Sequence, residues 1–190
     1  MWQGIEAMMK NDGTRTNEKA FWEIFSRIYG DEKIKNDFSL FEQFYKERFS
    51  SVKTECLYTE KSRKLIDYLK SKGIVVALAT NPVFPAIATE TRMGWVDLKM
   101  DDFSLVTTYE NIGYCKPNPA YYTDIAKRLG IDPCQCLMVG NDVVDDMSAE
   151  KAGMDVFLLT DCLINSKDLD YSKYAQGSFD ELLAYINSKI

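Results

Sequence analysis

From Thr59 onward the chain alternates short apolar runs with helical stretches, and this alternation limits the fold more than any other feature. A helix from about Glu60 to Lys72, closed by Gly73, leads into a strand over Ile74 to Thr80 and a short helix from about Pro85 to Arg92. A strand near Leu105 to Thr108 follows, then a helix from about Pro119 to Leu129 ended by Gly130. The pattern repeats with a strand over Cys136 to Val139, a helix from about Val144 to Ala152 ended by Gly153, and a strand over Val156 to Leu159. The terminal helix runs from about Phe179 to Ser188, with Ser178 as its cap. Strands that are apolar throughout and separated by helices are expected to be buried on both faces, which means a parallel α/β sheet with helices on both sides. In such sheets a ligand sits beyond the carboxyl ends of the strands.

Residues 1–55 read differently. Trp2 to Lys10, Asn17 to Tyr29 and Phe38 to Phe49 carry apolar residues at helical spacing, with the Asn11-Asp12-Gly13 turn between the first two. The expected division is a helical segment over 1–55 and an α/β core over 56–190.

Bulk properties exclude several classes of function. A net charge of -6 argues against a nucleic-acid partner, whose backbone calls for a basic face. The longest apolar runs are strand-sized, far short of a membrane span, and the N-terminus has no secretory pattern, so no membrane partner and a cytoplasmic location are expected. Five scattered cysteines fit reduced thiols better than a disulfide framework, and Cys134-Gln135-Cys136 has no second pair to complete a soft-metal site. Histidine is absent, which removes Ser/His and Cys/His nucleophilic pairs and imidazole acid/base chemistry. Carboxylates, lysine, hydroxyls and a hard cation remain.

Three clusters have the chemistry for a phosphorylated ligand, and each has a plainer reading. Thr80 and Asn81, at a strand tip, can donate hydrogen bonds to phosphate oxygens; before Pro82 they can equally form a cap or turn. Lys116, just before Pro117 and Pro119, suits a fixed cation facing a phosphoryl group; the alternative is a solvated lysine in a proline-rich connection. Asp142, Asp145 and Asp146 follow the run Cys136 to Val139 at once, and oxygens clustered at a strand end suit magnesium. Their alternative is that Asp142 and Asp145 complement a helix terminus while Asp146 is solvated.

In this combination and order the sequence resembles the haloacid dehalogenase superfamily, most of whose members are magnesium-dependent phosphatases. Thr80 matches the second motif, Lys116 the third, and Gly140-Asn-Asp-Val-Val-Asp-Asp146 the fourth, over a span from about Thr59 to Leu159. The resemblance implies a Rossmann-like sheet, a helical cap formed by the N-terminal segment, and a small phosphorylated substrate. It also implies a Mg2+ site built from Asp142, Asp146 and Asn141, with Lys116, Thr80 and Asn81 as catalytic residues. Asn141 stands where members usually carry an aspartate, so Asp142, or the Asn141 carbonyl oxygen, would have to serve the cation.

The family's first motif, Asp-x-Asp-x-Thr after an opening strand, has no counterpart. Asp168-Leu169-Asp170 has the spacing but follows no strand and sits at the wrong end. The resemblance then implies a chain that lacks its central first strand and nucleophilic aspartate: a truncated phosphatase, inactive as it stands. It leaves a gap in the sheet through which a second copy can pair as a homodimer. The alternative is a non-catalytic module of the same shape that binds metal, phosphate or a protein partner; dehalogenation by the same chemistry is a third option, less suited to Thr80 and Lys116.

Overall fold

Thr16 accepts a hydrogen bond from Lys19 N and so starts the helix Asn17–Tyr29 (α2), which packs on the preceding helix Trp2–Met9 (α1). The two helices approach closely at Gly4, where a Cβ would lie 2.7 Å from the ring of Phe21. The computed structural model describes residues 1–56 and 58–189. They form two compact units, Met1–Cys115 and Lys116–Ile190.

In the first unit a third helix, Asp31–Gln43 (α3), begins seven residues before the expected Phe38. Gly30, at φ 100°, turns the chain, and Asp31 and Glu32 in the first turn complement the helix dipole. Those polar residues carry no aromatic periodicity, which is why the apolar pattern alone misses them. The chain continues through a π-type turn, Phe44–Arg48, and a 3-10 segment, Phe49–Glu55, and then helix Lys61–Ser71 (α4). Strand Ala77–Leu78 (β1) pairs in parallel with Leu105–Val106 (β2), with helix Ala86–Gly94 (α5) between them. Both strands are shorter than their apolar runs, because the ladder joins only Ala77 with Leu105 and Leu78 with Val106.

The second unit opens with helix Pro119–Leu129 (α6), which ends as expected at Gly130, at φ 68°, and is capped at its start by Asn118. Strands Leu137–Gly140 (β3), Asp155–Leu159 (β4) and Ala175–Gly177 (β5) form a parallel sheet in the order β3-β4-β5. Central β4 buries Phe157, Leu158 and Leu159, whereas every residue of β3 is only half-buried. This corrects the expectation that each strand is buried on both faces; in this sheet β3 is an edge. Helix Phe179–Asn187 (α7) closes the unit, with a reciprocal capping box between Ser178 and Glu181.

One further correction bears on the site. The helix expected over Val144 to Ala152 is a turn followed by a 3-10 segment, Met147–Ala152, ended by Gly153 at φ 88°. No helix among the described residues is long and apolar enough to cross a membrane.

Candidate functional site

Strand β3 delivers Gly140 and Asn141 to a turn whose geometry is fixed by its own carboxylates. Asp142 Oδ1 accepts from the backbone amides of Val144 (2.8 Å) and Asp145 (2.9 Å), so Asp142 does cap the turn. Asp146 N donates to Asp142 O at 3.0 Å, and Asp142 N returns a hydrogen bond to Asp146 Oδ2 at 2.9 Å. These bonds, rather than a helix, bring the two aspartates together. Gly140 is required for the fold-back, because a Cβ there would collide with the Asp146 carboxylate.

Asp146 is not solvated: it is buried, and its Oδ1 accepts from Lys116 Nζ at 2.5 Å. Lys116 is itself only 5% exposed. It is not the surface lysine of the plainer reading. Chain direction explains its burial. Lys116 lies two residues before the Asn118 cap, and its ammonium sits 5.7 Å from the centroid of the Tyr121 ring, one turn into α6. A buried lysine is costly unless its charge is paired, and here a carboxylate and an aromatic face both compensate it.

Two residues that the sequence reading missed hold this turn from behind. Tyr122 donates its hydroxyl proton to the Asp145 carbonyl, and the single Ser148 hydroxyl proton lies within reach of the Tyr122 oxygen (3.0 Å) and of the same carbonyl (2.8 Å), donating to one of them at a time. Burial pushes the Tyr122 phenol well above its usual range, so it remains a protonated donor. The signal in the sequence was the Tyr121-Tyr122 pair in the first turn after Lys116-Pro117-Asn118-Pro119. On the other side, Asn141 Nδ2 donates to Cys162 O at 2.6 Å, and Ile164 N donates to Asn141 O at 2.8 Å.

In the first unit, Thr80 and Asn81 follow β1 directly. Thr107 Oγ1 donates to Thr80 O (2.8 Å), and Thr80 Oγ1 reaches Thr107 O at 3.4 Å. Fully buried Asn17 fastens the next residue by donating to Pro82 O at 3.0 Å, while its own Oδ1 accepts from Asn11 Nδ2 at 2.9 Å.

The donor set decides whether a hard cation fits the acidic turn. Among the described residues no three His, Cys, Asp or Glu side chains gather as a metal cage. Magnesium does not need one, since it binds through one or two carboxylates together with water and substrate phosphate. Asp142 supplies such an oxygen: Oδ1 is engaged in capping, and no hydrogen bond is formed by Oδ2 among the described residues. Asn141 offers its amide oxygen, because its nitrogen is the atom that donates to Cys162. The backbone carbonyl oxygen of Asn141 accepts from Ile164 N. These oxygens are of the type that magnesium takes, and Asp146, the third expected ligand, stands beside Asp142 and is held by Lys116.

A model of the haloacid dehalogenase-like hydrolases matches residues 12–153. The chain belongs to this family. Among its relatives, Putative phosphatase YhcW of Bacillus subtilis is 27% identical over 156 residues, covering 77% of this chain and 68% of that protein. Hexitol phosphatase B of Escherichia coli is 34% identical over 90 residues, covering 47% of this chain and 39% of that protein. The fold also matches a solved structure of a predicted phosphoglycolate phosphatase from Haemophilus somnus, with a TM-score of 0.61 at 19% identity over 97% of this chain and 82% of that one. CbbY from Rhodobacter sphaeroides, solved in complex with phosphate, has a TM-score of 0.57 at 19% identity over 72% of this chain and 61% of that one. These likenesses support a phosphatase-like member of the family with its α/β fold.

Proposed function

We propose that this family member carries the phosphate-binding and magnesium-binding part of a phosphatase acting on a small phosphorylated metabolite. The observation that carries the reading is the buried Lys116–Asp146 pair at the carboxyl end of β3. A buried ion pair contributes little net stability compared with an apolar pair of the same shape, so its presence at a strand tip favours a working role. Lys116 offsets charge on a phosphoryl oxygen, and Asp146 keeps the ammonium aimed by accepting from it on Oδ1. Asp142 and Asn141 would hold Mg2+, which when bound neutralises phosphate charge and polarises the phosphorus centre. In the first unit, Thr80 and Asn81 offer a hydroxyl and an amide to phosphate oxygens beyond β1.

In this family an aspartate attacks phosphorus in line to form an aspartyl phosphate, which water then hydrolyses. The 190-residue sequence contains no Asp-x-Asp-x-Thr, so this polypeptide alone is expected to bind without turnover. Calorimetric titration with inorganic phosphate, with and without Mg2+, tests the binding half. The expected result is saturable, Mg2+-dependent binding that Lys116→Ala abolishes. An assay with p-nitrophenyl phosphate tests the other half, and clear Mg2+-dependent turnover by the pure chain would refute the missing-nucleophile argument.

A further inference from the structure

The first unit carries a partly open cavity of about 370 Å3, within the range of roughly 300–1,000 Å3 usual for small-molecule sites. Its lining combines the aromatic rings of Trp22, Phe41, Tyr45 and Tyr109 with the half-buried carboxylates of Glu18 and Glu110. Glu110 is fixed in place, because both of its oxygens accept from Ala86 N, at 2.8 and 3.0 Å. Glu18 is held through its backbone, whose amide donates to Tyr109 O at 2.8 Å. Among the described residues neither glutamate has an ion-pair partner. The other charged side chains of the lining, Glu42 and Lys46, are exposed and opposite in sign, and exposed Met1 adds its amino group to the rim.

This arrangement has an electrostatic cost that a ligand could relieve. Burial, and then the neighbouring charge of Glu110, push the Glu18 carboxyl above its usual range. Burial and the same two carboxylates push Tyr109 up to about 12, so its ring enters the wall as a neutral phenol. Trp22 Nε1 is buried beside it without a well-formed hydrogen bond to any acceptor among the described residues.

We propose that this cavity binds an organic ammonium ion, with an alkylated nitrogen seated among the aromatic rings and Glu18 and Glu110 as its counter-charges. Each alternative occupant fails on the same lining. An anion meets two carboxylates, and a neutral apolar molecule leaves them desolvated without compensation. A hard metal ion needs a shell of oxygens that the aromatic walls do not supply. An alkylated ammonium has both an apolar surface for the rings and a charge for the glutamates, and aromatic faces attract it directly.

The test uses choline and neohexanol, the uncharged carbon isostere of choline, titrated calorimetrically into the 190-residue chain. Neither carries a phosphate, so the result is independent of the phosphatase proposal. Choline is expected to bind about tenfold or more tightly than neohexanol, the ratio that one desolvated cation–π and charge contact supplies. Glu110→Gln keeps an acceptor for Ala86 N, and Glu18→Gln keeps the shape of the wall. Each is expected to weaken choline severalfold and leave neohexanol unchanged, with unaltered circular dichroism. Equal affinity for the two ligands, no saturable binding of choline, or choline affinity unchanged in both variants would overturn the proposal.

Discussion

Two buried aspartates, one in each unit, hold cations in opposite ways. In the first unit Asp102 closes the 3-10 turn Met100–Asp102 and accepts from Arg63 (2.6 Å), Lys70 (3.1 Å) and Lys99 N (3.0 Å). Its cations reach in from the surface, the Arg63 side chain being 23% exposed and that of Lys70 45%. In the second unit Asp146 and Lys116 are both buried, with side chains 9% and 6% exposed. The first arrangement ties α4 to the loop before β2 with inexpensive, partly hydrated charge. The second takes both charges out of water, which stability alone does not reward. A carboxylate met by solvated cations is a tether, whereas one met by a buried cation at a strand tip is a candidate for chemistry.

The sharpest way to break this contrast is to remove one partner of the buried pair. Lys116→Ala strands the Asp146 charge and is expected to cost about 3–5 kcal/mol in urea denaturation, as broken buried pairs generally do. Lys116→Met combined with Asp146→Leu should recover most of that loss while phosphate binding stays abolished. If the double variant is as unstable as the single one, the pair is structural after all and the distinction from Asp102 fails.

Asp102→Asn should be milder, about 1–2 kcal/mol near neutral pH, because its partners are partly hydrated and can return to water. The pH dependence gives a cleaner readout. The Arg63 guanidinium above all, with the Lys99 amide and Lys70, holds the Asp102 carboxyl well below the usual carboxylate range. A depressed folded-state pKa contributes stability that is fully present above the unfolded value of about 4 and is lost as pH falls below it. Acid titration of stability should therefore show a smaller drop below that point in Asp102→Asn than in the parent chain. An identical drop would mean that the Arg63 contact contributes nothing.

How much of this was legible in advance depends on whether the signal was local. The α6 boundaries, the Ser178 cap and the Cys136 to Val139 strand were readable because caps, glycines and apolar runs act within a few residues. The pairing of Lys116 with Asp146 spans thirty residues and leaves no periodic trace; only the family resemblance placed both in one motif set. The early start of α3 at Asp31 was hidden because its first turn is polar and buries nothing. The 3-10 segment after Asp146 was misread as a helix because alanine and methionine suit either. There the hydrogen bonds from Asp142 to Val144 N and Asp145 N decide the geometry. Tyr122 and Ser148 were overlooked because a tyrosine in an amphipathic helix looks like ordinary core.

The smallest expected effect separates capping from ligand binding within the acidic turn itself. Asp142 Oδ1 caps the turn, and the proposed magnesium contact uses the other oxygen, so the two roles should respond differently to one isosteric change. Asp142→Asn retains a capping oxygen but loses the charge, and caps differ little between Asp and Asn. Its stability should stay within about 0.5 kcal/mol of the parent, against about 1 kcal/mol lost in Ser178→Ala, where a cap is simply removed. Mg2+-dependent phosphate binding, in contrast, should fall in Asp142→Asn and remain intact in Ser178→Ala. If Asp142→Asn binds phosphate with unchanged Mg2+ dependence, Asp142 is only a cap and the cation must be held by other oxygens.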